Sequence, residues 1–251
     1  MAEEQYSELA NYEFGIKKNL VIIRNEKAES ETSDDEKVIC EVQKEHDDTN
    51  DCCSDPVQRI VHGFNHFLSN KFNKYPCLFN ELAKTQNPKF LVFSCSDSRV
   101  SPSHFLNFQP GEAFMARNIG NLIPIYNTLK YSGVGAIIEY AVTHLEVENI
   151  LVIGHSSCGG IEALMSDPVG SDFIDDWVNI AQIVKNKVKA EYSNLSPEEQ
   201  RKICTEEAVN LSLKNLNSYP FVLKRVEEKK ITLRGGYYDF VDGSLKLWEL
   251  E

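Results

Sequence analysis

Two short segments of this 251-residue chain carry the residue types that hold metals and handle protons: Cys95-Ser96-Asp97-Ser98-Arg99 and His155-Ser156-Ser157-Cys158-Gly159-Gly160. A thiolate, an imidazole and a second thiolate form the soft-to-borderline donor set that zinc prefers. Three protein ligands leave the fourth tetrahedral position open to water, which is the count of a catalytic site and not of a structural one. Zinc in such a position lowers the pKa of its water far enough to supply a nucleophile near neutral pH. Two thiolates cancel the formal charge of the metal, so this water is expected to be less acidic than one held by three neutral imidazoles, and the alkaline side of neutral should favour reaction. A lone buried cysteine is ordinarily a small apolar residue, and a lone histidine says as little. What gives these two segments weight is where they fall.

Each directly follows a compact apolar run of the kind that forms a buried strand, Lys89 to Ser94 before the first and Asn149 to Gly154 before the second. Between them lie a third candidate strand, Glu112 to Ala116, and a helical stretch, Gly135 to Leu145, with Ala136, Ile137, Tyr140 and Ala141 on one face. Strand, helix, strand order predicts an α/β fold with a mostly parallel central β-sheet flanked by helices. In such sheets the working site lies beyond the carboxyl ends of the strands, where both segments sit. Upstream, Asp55-Pro56 starts an amphipathic helix in which Val57, Ile60, Val61, Phe64, Phe67 and Leu68 recur at helical spacing. Ser196-Pro197-Glu198-Glu199 is a capping box that opens a helix running to about Asn215. The closing region, Ile231 to Leu233, Gly235-Gly236, Tyr237 to Phe240 and Ser244 to Trp248, reads as strands with tight turns, and its edge-strand character predicts subunit contacts.

A net charge of -12 opposes nucleic acid and anionic membranes as partners. No apolar run reaches the roughly 18 to 20 residues of a membrane-spanning helix. The first residues, MAEEQYSELANYE, carry acids where a signal or transit peptide would carry Lys or Arg, so a cytoplasmic protein is expected, or a chloroplast one if a transit peptide is missing from this chain. Seven cysteines in no framework spacing predict reduced thiols or metal ligands. Residues 26–55 are dominated by Glu, Asp, Ser, Thr and Lys and read as a flexible acidic segment. The division is therefore an N-terminal extension over 1–54 and a catalytic domain over 55–251. Residues 19–25, NLVIIRN, suit a short strand or a docking segment. His62 and His66, four apart on the first helix, lack a third partner for a metal, and Cys52-Cys53 lies in the acidic segment.

On these two motifs, together with Phe108-Gln109-Pro110-Gly111-Glu112-Ala113-Phe114, Arg117-Asn118, Glu139-Tyr140-Ala141 and Gly235-Gly236-Tyr237-Tyr238-Asp239-Phe240, the chain resembles the plant-type β-class carbonic anhydrases from about Asp55 to Trp248. The resemblance implies one Zn2+ per subunit on Cys95, His155 and Cys158, with Asp97 and Arg99 as a catalytic dyad. It implies a substrate pocket of Gln86, Phe114, Ile119, Tyr140 and the Gly159 backbone, and a homo-oligomer, dimer or higher. The implied reaction is reversible hydration of CO2 to bicarbonate by a zinc-bound hydroxide. Hydrolysis of carbonyl sulfide or carbon disulfide on the same site is the alternative. Gly120 departs from the Ala common in plant relatives, and the acidic insertion is unlike the family core.

Overall fold

The computed structural model describes residues 17–23 and 55–250; the acidic segment with Cys52 and Cys53 lies outside them. The chain divides into two compact units, residues 25–86 and the remainder.

In the first unit, α1 (Pro56–Phe67) begins where expected: the Asp55 carboxylate accepts the Val57 N–H at 3.0 Å and Pro56 occupies the first turn. A π-helical turn (Leu68–Phe72) and α2 (Pro76–Leu82) follow. Phe67, Phe72 and Phe79 cluster, with the rings of Phe72 and Phe79 4.9 Å apart. The stripe of Val57, Ile60, Val61 and Phe64 stays uncovered, Ile60 being 71% exposed. An amphipathic helix whose apolar stripe faces solvent is an unfinished contact.

In the larger unit, strands β1 (Lys17–Ile23), β2 (Phe90–Cys95), β3 (Ala113–Asn118), β4 (Asn149–His155), β5 (Thr232–Asp239) and β6 (Ser244–Leu250) make one sheet in the order β1-β6-β5-β4-β2-β3. The four strands β3, β2, β4 and β5 are parallel, while β6 pairs antiparallel with both β5 and β1 at one side. The apolar runs alternate as a buried sheet requires. Leu91 and Phe93 of β2 and Ile150 and Val152 of β4 enter one core, whereas Val92, Leu151 and Ile153 enter the core of the opposite face. Helices α3 (Pro102–Phe105), α4 (Ser132–Glu139), α5 (Gly159–Met165), α6 (Ile174–Val178), α7 (Gln182–Glu191), α8 (Pro197–Leu216) and α9 (Pro220–Glu227) complete the unit. The capping box of α8 forms in full, Ser196 taking the Glu199 N–H and Glu199 taking the Ser196 N–H. No helix among the described residues is long and apolar enough to cross a membrane.

Three expectations change. Helix α4 starts at Ser132 and gives way at Tyr140 to a π-helical turn (Tyr140–His144). Val134 and Ile138, four apart on α4, and Ala141 and Val142 of the wider turn enter the core, while Ala136 and Tyr140 face outward. Second, Gly235-Gly236 is no turn. Both glycines lie inside continuous β5, where the Trp248 ring crosses so closely that a Cβ on Gly235 would sit 2.5 Å from it. Third, β5 and β6 are interior strands, because β1 pairs with the outer side of β6, so the closing region is not the sheet edge that alternation suggested. Trp248 is 1% exposed and donates its indole N–H to Asn210 at 2.8 Å. Trp248→Ala should therefore destabilise the fold itself by about 3–5 kcal/mol, read as a lower urea midpoint; an unchanged midpoint would refute this placement.

Candidate functional site

Parallel pairing of β2 with β4 brings the ends of two strands together, and with them Cys95 and His155. Cys158 follows after the turn at Ser156 and Ser157, the latter in the left-handed region with φ 51°, and α5 starts immediately beyond it at Gly159. The three donor atoms of Cys95, His155 and Cys158 lie within 4.8 Å of one another. All three residues are buried, His155 completely. Its Nδ1 faces the Ser156 carbonyl at 2.8 Å, the contact that fixes a ligating imidazole's tautomer, with Nδ1 donating. His155 Nε2 is left buried without a hydrogen-bond partner, turned toward the sulfurs. A buried nitrogen with no hydrogen-bond partner beside two thiols is a donor set that fits a tetrahedral metal.

The backbone prepares the sulfurs for that role. The N–H groups of Asp97 and Gly120 reach Cys95, and those of Gly160 and Ile161 reach Cys158. The sulfurs are 3.8 Å apart and behave as one unit. The hydrogen bond from Cys158 holds Cys95 well below the ordinary thiol value against the cost of burial, while Cys158, by giving that bond and being buried, is pushed up.

Asp97 and Arg99 form a fork-on-fork pair on the loop after Cys95. Arg99 Nε donates to Asp97 Oδ1 at 3.0 Å and Nη2 to Oδ2 at 2.7 Å, while the Arg99 backbone N–H adds a third bond at 2.9 Å. These bonds hold the Asp97 carboxyl well below the usual carboxylate range. Arg99 also donates to the Ser157 carbonyl at 3.1 Å and lies 4.6 Å over the Phe240 ring, tying one motif to the other.

The residues expected to form the substrate pocket separate into groups. Ile119 and Gly159 stand beside the metal cluster's loops: Ile119 opens the 3-10 turn after β3 (Ile119–Asn121), and Gly159 opens α5. Phe114 and Tyr140 pair with each other instead, ring centroids 5.8 Å apart. Phe114 lies opposite Leu91 in the register, which places it roughly 13 Å back along the strand from Cys95. Gln86 is exposed at the end of the separate N-terminal unit.

Two residues that the sequence reading named without giving them a place in the site support it. Arg117 donates Nε to the Cys95 carbonyl at 2.9 Å and Nη2 to the carbonyls of Asp97 and Val100, clamping the whole first motif from β3. Gly120, at φ 71°, nests against Gly160, where a Cβ would meet the Gly120 nitrogen and the Ile119 Cγ2 at 2.9 Å. The signal for the first was an Arg at the end of a strand; the second needed the tertiary approach.

A family model described as carbonic anhydrase matches residues 90–245. "Beta carbonic anhydrase 3" of Arabidopsis thaliana is 55% identical over 202 residues, covering 78% of this chain and 78% of the relative. Among solved structures, the β-carbonic anhydrase CcaA shares 33% identity with a TM-score of 0.72, over 76% of this chain and 86% of that one. A tetrameric β-carbonic anhydrase of Sordaria macrospora shares 29% identity with a TM-score of 0.71, over 76% and 95%.

Proposed function

This chain belongs to the carbonic anhydrases, in their plant-type β-class, and from that premise we propose that Cys95, His155 and Cys158 hold one Zn2+ per subunit in the service of CO2 hydration. The protein catalyses the reversible conversion of CO2 and water to bicarbonate and a proton. The observation that carries the metal assignment is the buried convergence of two thiols on an imidazole nitrogen that has no other partner. Zinc, when bound, acidifies water and so supplies the nucleophile at neutral pH.

The rest of the chemistry falls to side chains of this chain. Asp97, kept ionised and aimed by Arg99, accepts a hydrogen bond from the attacking oxygen and fixes its direction. Arg117 keeps the Asp97 backbone in place beneath it. Ile119, Phe114 and Tyr140 supply apolar walls for CO2, and the Gly159 backbone N–H is a donor for bicarbonate. Carbonyl sulfide and carbon disulfide are not favoured as substrates, since the similar plant relative is a carbonic anhydrase. Metal analysis together with a CO2 hydration assay tests the whole reading. Zinc well below one per chain in active enzyme would overturn it.

The catalytic domain proposed over 55–251 works as a homo-oligomer. Two features support this: the bare stripe of α1, and the distance between the Phe114–Tyr140 pair and the metal cluster, with Tyr140 44% and Ile119 43% exposed. A second copy would cover these surfaces and bring the two halves of the pocket together. Ile60→Glu should lower the oligomer mass in light scattering; a mass equal to that of the unchanged chain would exclude α1 from assembly.

A further inference from the structure

We propose that Trp177 is a positioning residue for the substrate pocket, acting through the turn that carries Ile119; this rests on the reading that Ile119 lines the CO2 site. Trp177, on α6, donates its indole N–H to the Ile119 carbonyl at 2.7 Å. The turn it holds is only three residues long and contains the left-handed Gly120, so its own hydrogen bonding is poor. The same turn has two duties at the metal cluster. It directs the Gly120 N–H at the Cys95 sulfur, and it presses the Ile119 side chain against Gly160 at the start of α5. A displacement of the turn would therefore move a pocket wall and a donor to a ligand together.

Trp177 is itself fixed from behind. Its ring meets Tyr131 edge-on, centroids 5.5 Å apart at 83°. The Tyr131 hydroxyl donates to the Asp176 carbonyl at 3.1 Å and faces the Asp176 carboxylate at 3.3 Å, and Lys130 pairs with that carboxylate at 3.0 Å. Tyr131 adopts φ 59°, a conformation that a bulky aromatic residue keeps only where its surroundings fix it. Residues 130–131 and 176–177 thus form a bracket that holds the Ile119 carbonyl through the indole N–H, while the ring packs against the core beneath the site. None of these residues is one of the three metal donors, so their expected effect is on pocket shape, with all three ligands kept.

Trp177→Phe keeps an aromatic ring against Tyr131 and removes the N–H donor together with the smaller ring of the indole. In the zinc-loaded enzyme it should leave zinc stoichiometric and raise KM for CO2 more than it lowers kcat. The dissociation constants of cyanate and thiocyanate, measured by calorimetry, give a readout independent of turnover, since these linear anions differ in length by one atom's size. Their ratio should relax by roughly 10-fold, the scale on which an apolar pocket discriminates small size differences. Ile119→Val should shift the same ratio, and the double variant should shift it no further than the larger single effect. An unchanged ratio in Ile119→Val overturns the pocket reading and this proposal with it. A shifted ratio in Ile119→Val with an unchanged one in Trp177→Phe overturns the role of Trp177 alone, as does full additivity. If Trp177→Phe does not fold, Tyr131→Phe should shift the ratio in the same direction by less, and an unchanged ratio there overturns the bracket.

Discussion

Cys95→Ser, His155→Ala and Cys158→Ser each lose stoichiometric zinc and CO2 hydration together. The three residues are buried at strand ends and their donor atoms form the only such cluster among the described residues, and the neighbouring carboxylate, Asp97, is held away in its fork with Arg99. Removing a single ligand leaves two protein donors, too few for a tetrahedral site that must also keep a position for water. The fold should survive, because the cores on either side of β2 and β4 are built from Leu91, Phe93, Ile150, Val152 and their neighbours. Bound zinc stabilises the native state by mass action, so thermal melts provide a second measure. Added zinc should raise the melting temperature of the unchanged apoenzyme and leave that of each variant nearly where it was. Full zinc occupancy in any two of the three variants would sink the ligand assignment.

Asp97→Asn should keep both zinc and assembly while activity falls roughly 100-fold to 10,000-fold, the usual contribution of a positioned proton-handling group. The amide has nearly the same shape but offers one acceptor oxygen in place of two, and it carries no charge for Arg99 to hold. Arg99→Ala should approach the same loss for a different reason. Arg99 depresses the Asp97 pKa, so removing the guanidinium lets it rise toward the ordinary carboxylate value near 4. At neutral pH Asp97 remains ionised in that variant, and the defect is one of aim. A carboxylate released from its fork, two residues from a metal ligand, is also free to swing onto the metal in place of water. Hydroxide competes better for that position as pH rises, so the activity of Arg99→Ala should move to higher pH while that of Asp97→Asn does not. Near-wild-type rates in Asp97→Asn would refute a catalytic role for the dyad.

What the sequence by itself determined is local in cause. The two chemical motifs, the buried strands before them, the N-cap at Asp55 and the capping box at Ser196 are set by neighbours along the chain, by period-two burial and by side chains bonding two or three residues away. Donor chemistry was legible for the same reason: Asp97 meets Arg99 within one loop, and thiolate and imidazole declare a metal by type alone.

Tertiary structure decided whatever depends on approach between distant segments. Gly235-Gly236 has the composition of a turn, and only the Trp248 ring lying across it makes it strand interior. Residues 19–25 suited a short strand or a docking segment, and the pairing of residues 17–23 with β6 made the segment a strand and turned an expected edge into the middle of the sheet. The π-helical turn at Tyr140, the Arg117 clamp and the Trp177 bracket each join residues whose separation in sequence carries no periodic signal. Phe114 and Tyr140, named beside the metal ligands by resemblance, lie far from them within one chain. A strand fixes distance along its length by its rise per residue, and no choice of side chain can shorten it.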